Sequence, residues 1–262
     1  MKKLTQALLF AGVIAVPGVM VAAPAMADDA PAASPITANV TLTTEYVYRG
    51  ISQSNGKPAI QGGFDYAHPS GFYVGTWGSS ITWIADSARS SGSAVSSGME
   101  LDVYGGFRGT FADDFGYDVG VLHYDYPGSY PAGWTSNNTD EVYLSGSYKM
   151  VSLKYSQSTT NLFGTANSKG SGYFEANANF DLGAGFSLGL HAGHQSVASQ
   201  NGASNGGYSY SDYKVAVTKD FGGGLSVTGA AIDTNADKAL YTNVDGRDLS
   251  KQRFVLSVTK TF

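Results

Sequence analysis

Apolar and polar residues alternate through most of this chain. In the run from Met99 to Arg108, one face carries Met99, Leu101, Val103, Gly105 and Phe107, and the other Glu100, Asp102, Tyr104, Gly106 and Arg108. The same split runs through Phe174 to Asp181 and through Phe186 to Gly193. Period two marks a β-strand with one apolar and one polar face. Twelve such segments are predicted, at 37–48, 59–67, 71–80, 99–108, 116–126, 140–149, 151–158, 173–182, 185–195, 211–219, 224–233 and 251–262. Most have the length of about 9–11 residues that a tilted strand needs to cross a bilayer.

The connections alternate as regularly as the side chains. Even-numbered segments end in short turns, at 68–70, 109–115, 150, 183–184 and 220–223, whereas odd-numbered ones end in long polar stretches, at 49–58, 81–98, 127–139, 159–172, 196–210 and 234–250. A transmembrane antiparallel β-barrel requires this arrangement, with tight periplasmic turns on one rim and long extracellular loops on the other. A secreted β-sandwich also alternates within its strands. It has no reason to send every second connection outward as a long loop. The expected fold is therefore all-β, a transmembrane barrel of about twelve strands over 37–262.

The ends of the chain carry two expectations. Lys2 and Lys3, the apolar run from Ala7 to Val16 and the small-residue site Ala25-Met26-Ala27 read as a cleaved signal peptide over 1–27, followed by a short periplasmic segment over 28–36. Phe254, Leu256, Val258 and Phe262 share one face of the last segment, and Phe262 is expected to be its assembly signal, although Lys260 interrupts the apolar parity.

Composition narrows the function. Charged residues make up 14 % of the chain, roughly half the share usual in soluble domains. With no Cys there is no thiolate site. Without the signal, whose two Lys are its only charges, 14 basic residues face 21 acidic ones, a net −7 that disfavours nucleic acid as a partner. His68, His123, His191 and His194 show no metal-ligand spacing, and no phosphate-loop or nucleophile-elbow pattern occurs. No cofactor, metal or catalytic residue is expected.

If the apolar parity faces lipid, the other lines the lumen. The candidate pore-lining residues are Glu45, Asp65, Glu100, Asp102, Asp118, Glu141, Glu175, Asp181 and Asp212, with Arg108, Lys154, Lys214 and Arg253, and with Arg49 at the external mouth. Acids outnumber bases, so a water-filled pore should weakly prefer cations; paired charges sealing a narrow lumen are the alternative. Tyr46, Tyr48, Phe64, Tyr66, Phe72 and Tyr117 fall near strand ends, where a headgroup girdle is the preferred reading. The loop from Tyr126 to Trp134 could offer a ledge to a solute, with packing among the loops favoured. Ile81 to Ile84 is expected to fold into the mouth or pack on a rim. Arg49 either attracts an anion or, in the favoured reading, pins its loop to a carboxylate.

The block Tyr48-Arg49-Gly50-Ile51-Ser52-Gln53-Ser54 resembles a Y-R-G-x-S-Q-S signature of the TorF-family porins, also known as the Gcw_chp family, and Tyr124-Asp125-Tyr126-Pro127-Gly128 is similar to a second family segment. The resemblance implies an outer-membrane porin and supplies no substrate. Separately, His194-Gln195-Ser196 resembles the catalytic His and Ser of outer-membrane phospholipase A, with both side chains outward; the orienting group would be an Asn on the neighbouring strand, whereas Asn201 and Asn205 lie in the intervening loop instead. The expected function is a non-enzymatic outer-membrane channel for passive diffusion of small hydrophilic solutes or ions. Its partners would be outer-membrane lipids and, through the last strand, the barrel-assembly machinery. The alternatives are a non-conducting structural or surface-recognition barrel and, third, a lipid hydrolase.

Overall fold

The structure is a computed structural model that describes residues 34–90, 92–112 and 114–262. The expected signal peptide and residues 28–33 lie outside the described residues. Strand β1 (Ile36–Thr43) is followed by two short strands, β2 (Val47–Tyr48) and β3 (Ile51–Ser52). Then come β4 (Ala59–Ala67), β5 (Phe72–Ser80), helix α1 (Trp83–Ser90), β6 (Met99–Phe111), β7 (Phe115–Asp125), β8 (Thr139–Tyr148) and β9 (Val151–Ser158). The chain continues through β10 (Gly172–Gly183), β11 (Phe186–Ser196), β12 (Tyr210–Asp220), β13 (Leu225–Thr234) and β14 (Arg253–Thr261).

Among the described residues, β1 and β4 to β14 close into a barrel of twelve antiparallel strands, each hydrogen-bonded to its sequence neighbour. Closure is made by β1 on β14, in a register running from Asn39 opposite Thr261 to Thr43 opposite Ser257. Predicted and observed bounds agree within a few residues with one exception. The first segment, expected to run to residue 48, leaves the barrel wall after Thr43, and β2 and β3 form a separate two-stranded hairpin.

Parity places the apolar residues outward. Phe64, Phe72, Leu144 and Phe254 are all more than half exposed, which in water would be an aggregation surface and in a bilayer is the contact with lipid. At the short-turn rim the outward aromatics pack on one another: Phe72 meets Phe107 edge-on at 4.9 Å, while Phe111 stacks on Phe115 at 5.3 Å and Phe115 on Tyr148 at 4.5 Å. Two lysines share this outer rim. Lys219 donates to the Ala184 carbonyl and Lys260 to that of Gly223, while their ammonium groups lie over the rings of Phe186 and Phe262. Lys260 therefore keeps its apolar stem on the lipid face and turns its charge to the turn, so its break in parity needs no inward rotation.

With lipid against the outside, the packed core lies inside the barrel toward the long-loop end. Tyr46, Ile81, Ile84, Tyr104, Leu122, Tyr124, Tyr126 and Tyr143 form one buried cluster, with Trp77 and Trp83 against it. The stretch Ile81 to Ile84 is part of this core, and α1 follows directly from it. Thr82 starts the helix, its hydroxyl donating to Asp86 at 2.9 Å.

Candidate functional site

The first long loop does not extend from the barrel; it folds into it. Its hairpin reverses at Arg49 and Gly50, whose φ angles are +45° and +78°, the pattern of a two-residue type I′ turn that matches the twist of its strands. Gly50 is required here on two counts. Besides its φ, a Cβ at this position would lie 2.3 Å from Thr234 Cγ2 and 2.6 Å from Asp212 Cβ. The turn tip is thus pressed on the wall at β12 and β13. Ser52, Gln53 and Ser54 close the hairpin base: Gln53 N donates to Tyr46 O at 2.8 Å, Tyr46 N to Ser54 Oγ at 3.0 Å, and Ser52 N to Leu249 O at 2.9 Å.

Side chains fasten the hairpin to opposite walls. Arg49 makes a two-pronged ion pair with Glu141 on β8, at 3.0 and 2.8 Å, and donates to Gln195 on β11 at 2.9 Å. Its guanidinium also lies over the rings of Tyr48 and Tyr173, at 4.8 and 4.2 Å from their centroids. This planar, forked geometry is specific to arginine. Tyr46 donates to Glu100 on β6 at 2.8 Å and packs against Trp77. Tyr48 and Tyr124 share a hydroxyl contact at 2.6 Å. Val47 points the other way, onto Ala216, Ala230, Ile232 and Val255, and Glu45 pairs with Arg253. Burial, helped by the Glu100 carboxylate, pushes the Tyr46 phenol well above its ordinary range, so it serves as a neutral donor.

Two expectations are corrected by this arrangement. Tyr46 and Tyr48 are not headgroup residues: Tyr46 is 3 % exposed, because the chain turns inward after Thr43 and carries both rings into the lumen. Phe64, Tyr66, Phe72 and Tyr117 do face outward. Asp181 has interior parity but sits at the short-turn rim, exposed, where it accepts from Gly183 N at 2.8 Å. The wall irregularity between Asp181 and Gly183 ends the strand there.

The remaining candidates face the interior. Asp65 accepts from Tyr104 at 2.6 Å and Asp118 from Tyr73 at 2.7 Å. Arg108 lies over the Tyr73 ring and Lys154 over the Tyr143 ring. Asp212 accepts from Tyr173 at 2.8 Å and lies 2.9 Å from His191 Nε2; His191 Nδ1 is 2.7 Å from Asn177 and 3.6 Å from Glu175. Asp102 is fully buried, with neither carboxylate oxygen hydrogen-bonded to a described residue. Gln195, Tyr173 and Tyr124 are contacts of the hairpin that the charge-based reading missed. Their signal is present in the parity, since each shares the face of a candidate acid on its own or a neighbouring strand.

Below the hairpin is a cavity that opens to solvent. Its two sides differ. One carries Lys154, Glu175, His191, Asp212 and Lys214; the other is uncharged, with Thr228, Ala230, Ser257 and Thr259. Most of the acid surplus is elsewhere, at Asp65, Glu100, Asp102 and Asp118 on β4, β6 and β7, none of which lines the cavity.

The other long loops pack over the hairpin. Thr82 N and Trp83 N both donate to Gln53 O, Trp83 meets Tyr126 edge-on at 5.4 Å, and Tyr130 donates to Tyr126 O at 2.6 Å. The aromatic loop from Tyr126 to Trp134 is therefore used in packing. His194 and Ser196 face outward, but His194 Nδ1 lies 2.9 Å from Ser211 Oγ on β12, while the Asn201 side chain donates to Asn167 in the preceding long loop and that of Asn205 to Ala166 and Ala198. The His, Ser and Asn of the lipid-hydrolase reading are not brought together. Among the described residues no group of His, Asp and Glu is placed to hold a metal.

Comparison with known proteins agrees with the geometry. No curated protein matches the chain by sequence. Among solved structures, the KdgM porin is similar with a TM-score of 0.53 at 10 % identity, covering 86 % of this chain and 99 % of that one. A second KdgM structure, in complex with disordered oligogalacturonate, gives a TM-score of 0.52 at 10 % identity over 87 % and 98 % of the two chains. The NanC porin gives 0.53 at 10 % identity over 86 % and 98 %. These likenesses show the fold, and a closed bacterial barrel with an apolar exterior places the protein in the outer membrane. Residues 27–262 match the family described as bacterial protein of unknown function, Gcw_chp, and the chain belongs to that family.

Proposed function

We propose that the protein is a constricted porin-like channel for small hydrophilic solutes and ions, with the long-loop rim facing outside the cell and the short turns facing the periplasm. The observation that carries this reading is the charged, water-accessible cavity beneath a hairpin that narrows the lumen. A side-chain-filled barrel needs no such space. The porin-like fold supports it. A weak cation preference follows from the interior charges. Glu45, Asp65, Glu100, Asp102, Asp118, Glu141, Glu175 and Asp212 outnumber Arg49, Arg108, Lys154, Lys214 and Arg253 by eight to five. The surplus is small, and most of it is remote from the cavity, so the preference is modest.

Arg49 and Glu141 hold the constriction, with side chains 7 % and 2 % exposed. Removing either leaves the other's buried charge unpaired and loosens the turn tip. In planar bilayers the folded protein should give ion steps, and Arg49→Ala and Glu141→Gln should each raise the single-channel conductance by about two-fold or more. A folded barrel silent as wild type and as both variants would overturn the channel reading. That outcome would select a closed, surface-recognition barrel, which the packing of the long loops over the hairpin favours as the second reading.

A further inference from the structure

Lys214 differs from the other interior bases. Arg49 is held by Glu141 and Gln195, Arg253 by Glu45, Arg108 lies over Tyr73 and Lys154 over Tyr143. The Lys214 ammonium, by contrast, makes no hydrogen bond and no ion pair with a described residue, and it lines the cavity. Its two nearest acids, Glu175 and Asp212, attract it only at a distance. Both are already engaged, Asp212 by Tyr173 and His191, and Glu175 by Asn177. On β12, Lys214 is one inward-facing position below Asp212, against which the turn tip rests. It therefore sits directly under the hairpin, at the head of the open space.

The wall beyond it has a matching chemistry. Hydroxyls from β12, β13, β14 and β1 run along it in pairs: Ser257 donates to Thr43 at 2.9 Å, Thr41 and Thr259 meet at 2.8 Å, and Thr218 meets Thr228 at 2.8 Å. Thr43, Thr228, Ser257 and Thr259 line the cavity itself. A hydroxyl accepts two hydrogen bonds and donates one, so a paired row keeps capacity for a polar guest. A cation removed from bulk water is costly without a counter-ion. A small anion with hydroxyl groups satisfies both features at once.

We propose that the cavity is a binding site for small polyhydroxylated carboxylates, with Lys214 as counter-ion and the hydroxyl wall receiving the rest of the solute. This deepens the channel reading and rests on it for the route by which the solute arrives. Small-ion preference follows the field of the whole lumen, whereas occupancy of this site follows its local partner, so a weak cation preference and a carboxylate site are compatible.

The test uses the full folded barrel in detergent, with calorimetric titration of sodium gluconate, of uncharged sorbitol, and of sodium chloride as control. Gluconate should bind measurably tighter than sorbitol. Lys214→Gln should weaken gluconate by about ten-fold, and Lys214→Arg should retain most of the affinity. Equal binding of gluconate and sorbitol by the unmutated protein, or an unchanged affinity in Lys214→Gln, would overturn the proposal; the first comparison needs no variant to fold. Bilayer recordings on the same preparation separate the two claims. Gluconate binding without ion steps keeps the site and removes the channel; ion steps without discrimination of gluconate from sorbitol keep the channel and remove the site.

Discussion

Asp102 shows how an interior residue can work against the fold that contains it. Period two places it beside Glu100 on β6, but the hairpin and the rings of Tyr46 and Trp77 then close over that part of the lumen, and its carboxylate is buried without a hydrogen-bond partner among the described residues. A neutral amide is cheaper to bury than an unpaired carboxylate. Asp102→Asn is therefore expected to stabilise the folded barrel by about 1–3 kcal/mol, read as a shift of the urea unfolding midpoint; a midpoint that falls or stays unchanged would refute the cost assigned here. Arg49 is the opposite case. It holds a left-handed φ that arginine adopts at some expense, and its ion pair, its bond to Gln195 and two aromatic faces offset that strain.

At the level of elements, the hairpin of β2 and β3 is an insert in a complete barrel. Thr43 and Ala59, which flank it, are already opposite one another in the pairing of β1 with β4, so the wall closes without it. Replacing residues 46–54 by a short Gly-Ser turn should leave the barrel able to fold. It should also raise conductance above that of either single substitution at the Arg49–Glu141 pair. If the shortened protein folds and conducts no better than wild type, the hairpin is not the constriction. The helix α1 and the aromatic loop after β7 belong to the same assembly, since both pack on the hairpin base.

At the scale of the whole molecule, stability resides in a closed ladder of backbone hydrogen bonds, which lipid strengthens by offering no competing partners. The unboiled protein is accordingly expected to migrate differently from the boiled protein in a detergent gel, and identical migration would count against a closed barrel. Interior charge is also distributed at this scale. The acids that outnumber the bases are segregated toward β4, β6 and β7, and the open cavity faces a balanced set from β9 to β12 beside a neutral wall. Composition alone cannot reveal that division.

The twelve barrel strands, their order, the outward face of each and the alternation of short and long connections were legible in the sequence, because period two and turn length are local properties that lipid on one side enforces along every strand. The outward aromatic rim follows from the same parity, whereas Lys260 interrupts it and is accommodated by turning its charge to the neighbouring turn. The inward course of residues 44–58 was not legible. Tyr46 and Tyr48 read by position as rim residues, and their place in the lumen depends on partners distant in sequence, Glu100, Tyr124, Glu141 and Gln195, that only barrel closure brings to one place. The isolation of Asp102 and of the Lys214 ammonium is decided in the same way. Parity selects which side of the sheet a charge faces, whereas what it meets there depends on the opposite wall, and that wall exists only once the first strand has paired with the last.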